Sequence, residues 1–493
     1  MRFWNARLTF LKICAVATAV LLLCSSTSWA LMDIKKEREV GEEVLQQVKR
    51  QLKIVEDPEI TQYVNQIGNR ILANIGHTLF TYDFYVVDNN TMNAFAIPGG
   101  HIFINRGMIE IMDSEDELAG VLSHEIAHVQ SRHFAQRVEK GKVATIGAIA
   151  GALLAILVGG VGGGNAGSAV MTGAMAATQS LMLSYSRADE EEADRKGLSY
   201  MEEGGFNVQA MASVFNKMIK TKWIDTSAFP AYLSTHPGLD ERIVYLENAV
   251  AAHHPATIEA IEARRQQRFN EMKVRLIALY EAPGNAYDKL ARLISANPRN
   301  SMAYYGMALL QLRMNRYGEA IAALKKAAEL NPNNATFYQT MGVSYFYMGD
   351  MKNAQAALSQ SIIVLPNDAV SRYFLGQTYE QEGQWELALQ NFNKARVLNP
   401  DLEELYYHMA KVNNQLGRVG EAHLLYGVHS KEEGNIKNAQ FHFRKALELY
   451  QGNPAKIAEI EGYLKDLKEK KRPPEMPEPG DKGPTNTGAR VWR

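Results

Sequence analysis

The strongest constraint on this chain is a period in its C-terminal half. Pro298, Pro332, Pro366 and Pro400 stand 34 residues apart, and Ala320, Ala354, Ala388 and Ala422 keep the same interval. Gly342 and Gly376, Tyr345 and Tyr379, and Leu358 and Phe392 fall at matching phases. A unit of that length holds two helices and a turn, too little to bury an apolar face alone, so successive units must stack into an α-solenoid. Small residues mark where paired helices cross, and proline, which lacks the N–H a helix interior needs, marks each boundary. The period then slips: in "NAQFHFRKALEL", Ala439 follows Ala422 by 17 residues, half a unit. The helix around Glu421 to Glu433 is therefore expected to serve twice, closing one helix pair and opening the next. Upstream, Arg265 to Asn297 fits the period loosely and reads as a degenerate first repeat.

A chain of 493 residues is too long for one compact domain, so the region before the repeats should fold separately. A formal net charge of -1 leaves no excess of Lys and Arg to displace counterions, which argues against a nucleic-acid partner. Arg2, Arg7 and Lys12 precede an uncharged apolar run from Ile13 to Leu23, and Ser28 and Ala30 hold the small-residue positions of a cleavage site. This is the layout of a secretory signal peptide over 1–30, cut after about Ala30, and a bacterial signal would deliver the chain to the periplasm. The alternatives are an uncleaved anchor, for which the run is short, and a lipoprotein through Cys24, which large rather than small residues precede. Cys14 and Cys24 are the only cysteines and both lie in this segment, so the mature chain is expected to hold no disulfide. Residues 143–186 carry no charge and nine glycines. They read as a lid or membrane-contacting hairpin, with a true membrane span as the competing reading, weakened by the glycines at 159–164. From Lys471 the chain is rich in Pro and Gly, and 471–493 is expected to be a disordered tail.

Between leader and repeats the chemistry concentrates. A helical pattern runs from Asp33 to Ile75, "TLFTYDFYVVD" reads as a strand, and "AFAIPGGHIFINRGMIEI" reads as a second strand interrupted by a Pro-Gly-Gly turn. Ser114, with Glu117 three residues on, predicts a capping box opening a helix that runs through "SHEIAHVQSRH". His124 and His128 are four residues apart on that helix, so both imidazoles face one way and reach one tetrahedral zinc. Glu125 is turned away from the ligand line by roughly 100°. It is placed to take a proton from the attacking water and pass it to the leaving amine. His133, five residues past His128, turns off the ligand face and reads as a surface or supporting residue. The variant with a further histidine needs Gly three residues after the second His, where this chain has Ser131.

A catalytic zinc needs a third protein ligand and an open position. In "SRADEEEADRKG", Glu191 with Arg195 and Glu192 with Lys196 form pairs fitting a water-facing stripe. Glu190 and Asp194 are left stacked on another face without basic partners. Glu190 as third ligand, with Asp194 accepting the free ring N–H of a ligating histidine, relieves their repulsion. In "STHPGLDERI", His236 and Arg242 are candidates for stabilising the oxyanion, or His236 for occupying the open metal position, against a purely structural role.

These motifs resemble the membrane-associated zinc metalloproteases that include the CAAX prenyl endopeptidases and the bacterial HtpX heat-shock proteases. The matching pieces are "NAFAIPGGHIFINRGMI", "LAGVLSHEIAHVQSRH" and "YSRADEEEADRKG", extended by "STHP" to Arg242. The resemblance implies one zinc per chain on His124, His128 and Glu190, with Glu125 as general base and His236 as a fourth, regulatory or transition-state contact. It places Asn93, Ala94 and Phe95 on an edge strand beside the cleft, able to pair with an extended substrate. It further implies outer-membrane protein quality control, with unfolded or misassembled proteins as substrates, the repeats docking onto assembly machinery or clients, and peripheral membrane contact. The expected fold is mainly α: a gluzincin-like metalloprotease domain with a small β-sheet over 31–264, then an α-solenoid of tetratricopeptide repeats over 265–470. The competing expectations are a scaffold or chaperone working through its repeats with a latent protease domain, and an integral membrane protease spanning at 143–186.

Overall fold

A computed structural model describes residues 32–139, 184–224, 231–250 and 259–469. The expected leader, most of the uncharged stretch 143–186 and the tail lie outside the described residues. The chain divides into two compact units, one running up to Val55 and resuming over Thr61–Gln266, the other taking in Glu56–Ile60 and the chain from Gln267 onward.

In the first unit the expected helical stretch from Asp33 to Ile75 forms as two helices, α1 (Ile34–Gln51) and α2 (Pro58–Leu72). The break follows from Pro58, which has no N–H to continue a helix but suits the first position of a new one. Asp57 completes the start, its Oδ1 accepting the N–H groups of Glu59 at 3.1 Å and Ile60 at 3.0 Å. Val40, Val44 and Val48 of α1 pack on a sheet of three strands, β1 (Asp83–Val87), β2 (Ala94–Ile97) and β3 (His101–Asn105), in the order β1-β3-β2. β3 lies parallel to β1 and antiparallel to β2. Gly99 and Gly100, at φ 86° and 101°, make the hairpin turn that residues with a Cβ resist.

The second expected strand stops short. Arg106–Glu110 is a helical turn, α3, because Asn105 is the last residue with a partner on β1 and the Gly107 N–H bonds instead to the Asn89 carbonyl at 2.9 Å. Helix α4 (Glu115–Gln130) follows, buried along Glu115–Val129. Ser114 caps it through the Glu117 N–H at 3.2 Å, but the Glu117 carboxylate reaches back to the N–H of Asp113, one residue before the expected site. The unit continues with α5 (His133–Glu139), α6 (Arg187–Glu203), α7 (Gln209–Ile224), α8 (Ala231–Thr235) and α9 (Leu239–Val250). A helix buried this fully tolerates polar side chains only when they are partnered. That makes the histidines of α4 a matter of chemistry rather than of surface.

The second unit is a run of antiparallel helix pairs: α10 (Glu259–Tyr280), α11 (Pro283–Ala296), α12 (Ser301–Arg313), α13 (Tyr317–Leu330), α14 (Ala335–Tyr347), α15 (Met351–Val364), α16 (Ala369–Gln381), α17 (Trp385–Leu398), α18 (Leu405–Gln415), α19 (Val419–Glu432), α20 (Ile436–Leu449) and α21 (Pro454–Glu469). Inside three of the pairs a glycine lies under a large side chain: Gly342 under Leu358, Gly376 under Phe392 and Gly427 under Phe443. In the loosely periodic stretch before the first clear repeat, Val274 of α10 and Leu290 of α11 both pack on α12, sharing a core with Tyr305 and Ala320. The molecule is mainly α with one small sheet. Among the described residues no helix is long and apolar enough to cross a membrane.

Candidate metal centre

Helix α4 presents His124 and His128 one turn apart, and α6 crosses it closely enough to bring Glu190 opposite them. The close crossing needs a glycine: a Cβ on Gly197 would stand 2.9 Å from the Met211 side chain and 3.3 Å from the His124 backbone nitrogen. From the end of α8, His236 completes the group. His124, His128, Glu190 and His236 are all buried, and one ligand atom of each lies within 4.8 Å of the others. His124 Nε2 is 3.0 Å from His128 Nε2, 3.3 Å from His236 Nδ1 and 3.5 Å from Glu190 Oε2. His128 Nε2 is 3.4 Å, and His236 Nδ1 3.0 Å, from Glu190 Oε1. A tetrahedron with bonds of about 2.0–2.1 Å to a central zinc has edges of about 3.3–3.4 Å, so the donor set and its spacing fit a zinc ion.

Outside this group, further side chains support its members. His124 Nδ1 meets Asp194 Oδ1 at 2.8 Å. Arg242 grips Asp194 with Nε and Nη2, both at 2.7 Å, gives Nη1 to Glu190, and is joined on Asp194 by the Tyr245 hydroxyl. The oxyanion role that spacing offered Arg242 is thus not the one the fold gives it, because its donors are taken by two buried carboxylates. Of the two expectations for His133, a surface or a supporting residue, the fold brings about the second. His133 is 1 % exposed, and its Nδ1 lies 2.8 Å from His128 Nδ1. Helix α4 ends at Gln130 and Arg132 turns the chain at φ 54°, so helical angles do not extend to His133 and the chain folds back onto His128.

The electrostatics follow from burial set against this network. Burial drives Glu190 up, but the neighbouring His236, the Arg242 guanidinium and the bonds to His124 and His128 hold it well below the usual carboxylate range. Asp194 is lowered likewise, against burial, by Arg242 and His124. Burial drives His128 well down, keeping its ring neutral, as a ligand must be. Glu125 is raised, mainly by burial; both its carboxylate oxygens lack a hydrogen bond, and Oε1 stands 3.5 Å from His236 Nε2. Tyr185 lies flat against His128 with ring centroids 3.7 Å apart, and the Arg137 guanidinium sits 4.0 Å from the Tyr185 ring.

Asn93, Ala94 and Phe95 lie at the start of β2, an edge of the sheet among the described residues. Ala94 is buried and Phe95 stacks on Phe103 at 4.9 Å, so the backbone edge, not these side chains, is what a substrate would meet. The Glu192–Lys196 pair forms at 2.7 Å. Sequence reasoning missed Tyr185, Tyr232 and Tyr245. Their only signal was position: Tyr232 is four residues before His236 and Tyr245 three after Arg242.

Residues 58–250 match the model of peptidase family M48, and 301–334 and 376–417 match tetratricopeptide repeat models. The beta-barrel assembly-enhancing protease of Escherichia coli (strain K12) is 29% identical over 307 residues, 61% of this chain and 61% of that protein. Its counterpart in Yersinia pestis is 30% identical over 60% of each chain. The mitochondrial metalloendopeptidase OMA1 of Schizosaccharomyces pombe is 31% identical over 188 residues, 38% of this chain and 52% of that one. A crystal structure of MamA protein covers 42% of this chain at 19% identity and a TM-score of 0.30. The chain thus spans about three fifths of the length of the first of these relatives. A region matching peptidase family M48 is followed in this chain by tetratricopeptide repeats, and over about three fifths of its length the chain is homologous to the beta-barrel assembly-enhancing proteases.

Proposed function

We propose that this chain is a zinc-dependent endopeptidase of the cell envelope, cleaving misfolded or stalled exported and outer-membrane proteins that its repeats recruit, alone or with assembly machinery. The observation that carries the reading is the buried four-donor group with Glu125 beside it, whose carboxylate oxygens make no hydrogen bond among the described residues. His124, His128 and Glu190 would hold the zinc, and when bound it supplies Lewis acidity to the attacking water and the scissile carbonyl. Glu125 takes the proton released as water adds and delivers it to the departing amine. Its raised pKa, closer to neutrality than that of a free carboxylate, suits a group that must both accept and return a proton. Asp194 holds His124 in the tautomer that leaves Nε2 free, and Arg242 holds Asp194 and Glu190 as anions. The relatives named for barrel assembly support the envelope and outer-membrane part of the reading.

One observation favours a second reading. With His236 Nδ1 among the four donors the group is closed, as structural zinc sites are, rather than open, as catalytic ones must be. A latent protease whose repeats act as scaffold fits that closure, unless His236 leaves when substrate enters. Purified Glu125→Gln protein is expected to keep one zinc per chain and lose cleavage of an unfolded substrate; wild-type cleavage would sink the protease reading. In a deletion strain, full rescue by Glu125→Gln favours the scaffold.

A further inference from the structure

Tyr232 is 0% exposed, and its hydroxyl has no hydrogen-bond partner among the described residues. Its ring lies on His236, centroids 4.2 Å apart and 18° from parallel, because α8 sets the two residues one turn apart and the His236 N–H bonds to the Tyr232 carbonyl at 2.8 Å. The helix is tied at both ends. The Tyr232 N–H reaches the Met92 carbonyl, just before the edge strand, at 3.4 Å, and the Thr235 carbonyl accepts the Tyr185 N–H at 3.0 Å. A phenylalanine would fill the same space and leave no buried donor unmet, so the hydroxyl has a use that the described residues do not supply.

The unmet groups around it describe what is missing. Among the described residues both Glu125 carboxylate oxygens lack a hydrogen bond, and so does His236 Nε2, 3.5 Å from Glu125 Oε1. Burial holds the Tyr232 hydroxyl protonated, and among the nearby charges Glu125 acts on it most strongly. An unmet hydroxyl donor and unmet carboxylate acceptors, both buried around His236, are the complement of a peptide group, which brings a C=O and an N–H together. Arg242 cannot be that donor, since Asp194 and Glu190 hold it. We propose that Tyr232 is a catalytic residue whose hydroxyl donates a hydrogen bond to the carbonyl oxygen of the substrate peptide at the bond served by Glu125. The Tyr232 proton stays on its oxygen throughout; the proton released by the attacking water goes to Glu125, and the charge gathering on the carbonyl oxygen is what the hydroxyl stabilises.

The inference rests on the protease reading, and the test separates the two. In the full chain, Tyr232→Phe keeps the stack on His236 and is expected to hold one zinc and melt no lower than wild type. Its kcat should fall about 10²–10³-fold with KM changed little. In calorimetry it should lose the same factor in affinity for a phosphinic peptide, whose charged oxygen mimics the developing oxyanion, while a thiol-bearing peptide lacking that oxygen binds as before. Tyr232→Leu should lose as much phosphinic-peptide affinity as the Phe variant. A role in stacking alone predicts wild-type kcat and phosphinic-peptide affinity for Tyr232→Phe and losses only for Tyr232→Leu; that pattern overturns the inference. Wild-type cleavage by Glu125→Gln overturns the protease reading instead.

Discussion

Asp116, at the start of α4, is a carboxyl that the fold makes reluctant to ionise. It is 5% exposed, and burial pushes its pKa up to about 6 although the Asn207 N–H and Arg265 pull the other way. Its folded pKa therefore lies above its unfolded value. The stability it contributes is complete below about pH 4 and is lost as pH rises through about 6. Asp116→Asn keeps an acceptor for Asn207 and removes the charge. It should match wild type near pH 4 and gain about 1–3 kcal/mol on it by pH 8, read from denaturant unfolding at each pH; a constant difference across that range would show that Asp116 does not titrate as described. The same burial decides what the sequence disclosed about the site. His124, Glu125 and His128 were legible because one helix carries all three, and Glu190 with Asp194 because two stacked carboxylates lacked basic neighbours. The partners of those anions were not legible. Arg242 arrives from α9, some fifty residues on, and only tertiary packing shows that it grips Asp194 and Glu190 instead of facing substrate. His133 was read as a surface or supporting residue, and only the turn at Arg132, past the end of the helix, shows that it supports His128.

Helix α19 shows how a broken period becomes structure. Ala422 is 2% exposed at the phase of Ala388 and Ala354, where second helices of the repeats cross their partners. Gly427 meanwhile takes the place that Gly342 and Gly376 hold in first helices, with Phe443 of α20 against it. One helix has two small-residue faces, so the half-unit slip continues the stack without a gap, as the sequence spacing implied. A Cβ on Gly427 would meet the Phe443 ring at 2.5 Å, and Phe443 is 0% exposed and has no room to retreat. Gly427→Ala should destabilise the second unit by about 1–3 kcal/mol through overpacking. Gly318, in the first turn of α13, has nothing within 4 Å of its Cβ position, so Gly318→Ala should be neutral or stabilise by about 0.4–1 kcal/mol. Urea unfolding of the two variants in parallel checks both, and equal effects would mean that the α19–α20 crossing is not the close one described. The repeats were easy to read because every unit restates the same pattern. The sheet was harder. "RGMIEI" is apolar enough for a strand, and only the absence of a neighbour past Asn105 turns it into a helix.

At the scale of the whole molecule, the second unit is not continuous in sequence, since it takes in Glu56–Ile60 from far upstream. The tie is a buried ion pair. Arg275 Nη2 reaches Asp57 Oδ2 at 2.6 Å, its Nη1 contacts the Tyr305 hydroxyl at 3.0 Å and Glu59 Oε2 at 3.3 Å, and Asp57 is 2% exposed. Tyr280 holds the same corner, its hydroxyl accepting the Asp57 N–H at 3.1 Å. A pair this buried adds little over an apolar substitute, but losing one member strands the other charge away from water. A chain truncated before the repeats would leave Asp57 without Arg275, so point variants test the scaffold reading more cleanly than repeat deletion. Asp57→Asn isolates the charge, because asparagine caps α2 as well as aspartate does. The variant should cost the second unit up to about 3 kcal/mol, the low end for a broken buried pair, since Glu59 still faces Arg275. Hydrogen exchange gives a local reading: amides of α12 and α13 should exchange faster, and those of α4 as in wild type. Unchanged protection across α12 and α13 would mean that residues 56–60 contribute nothing to the stability of the repeats.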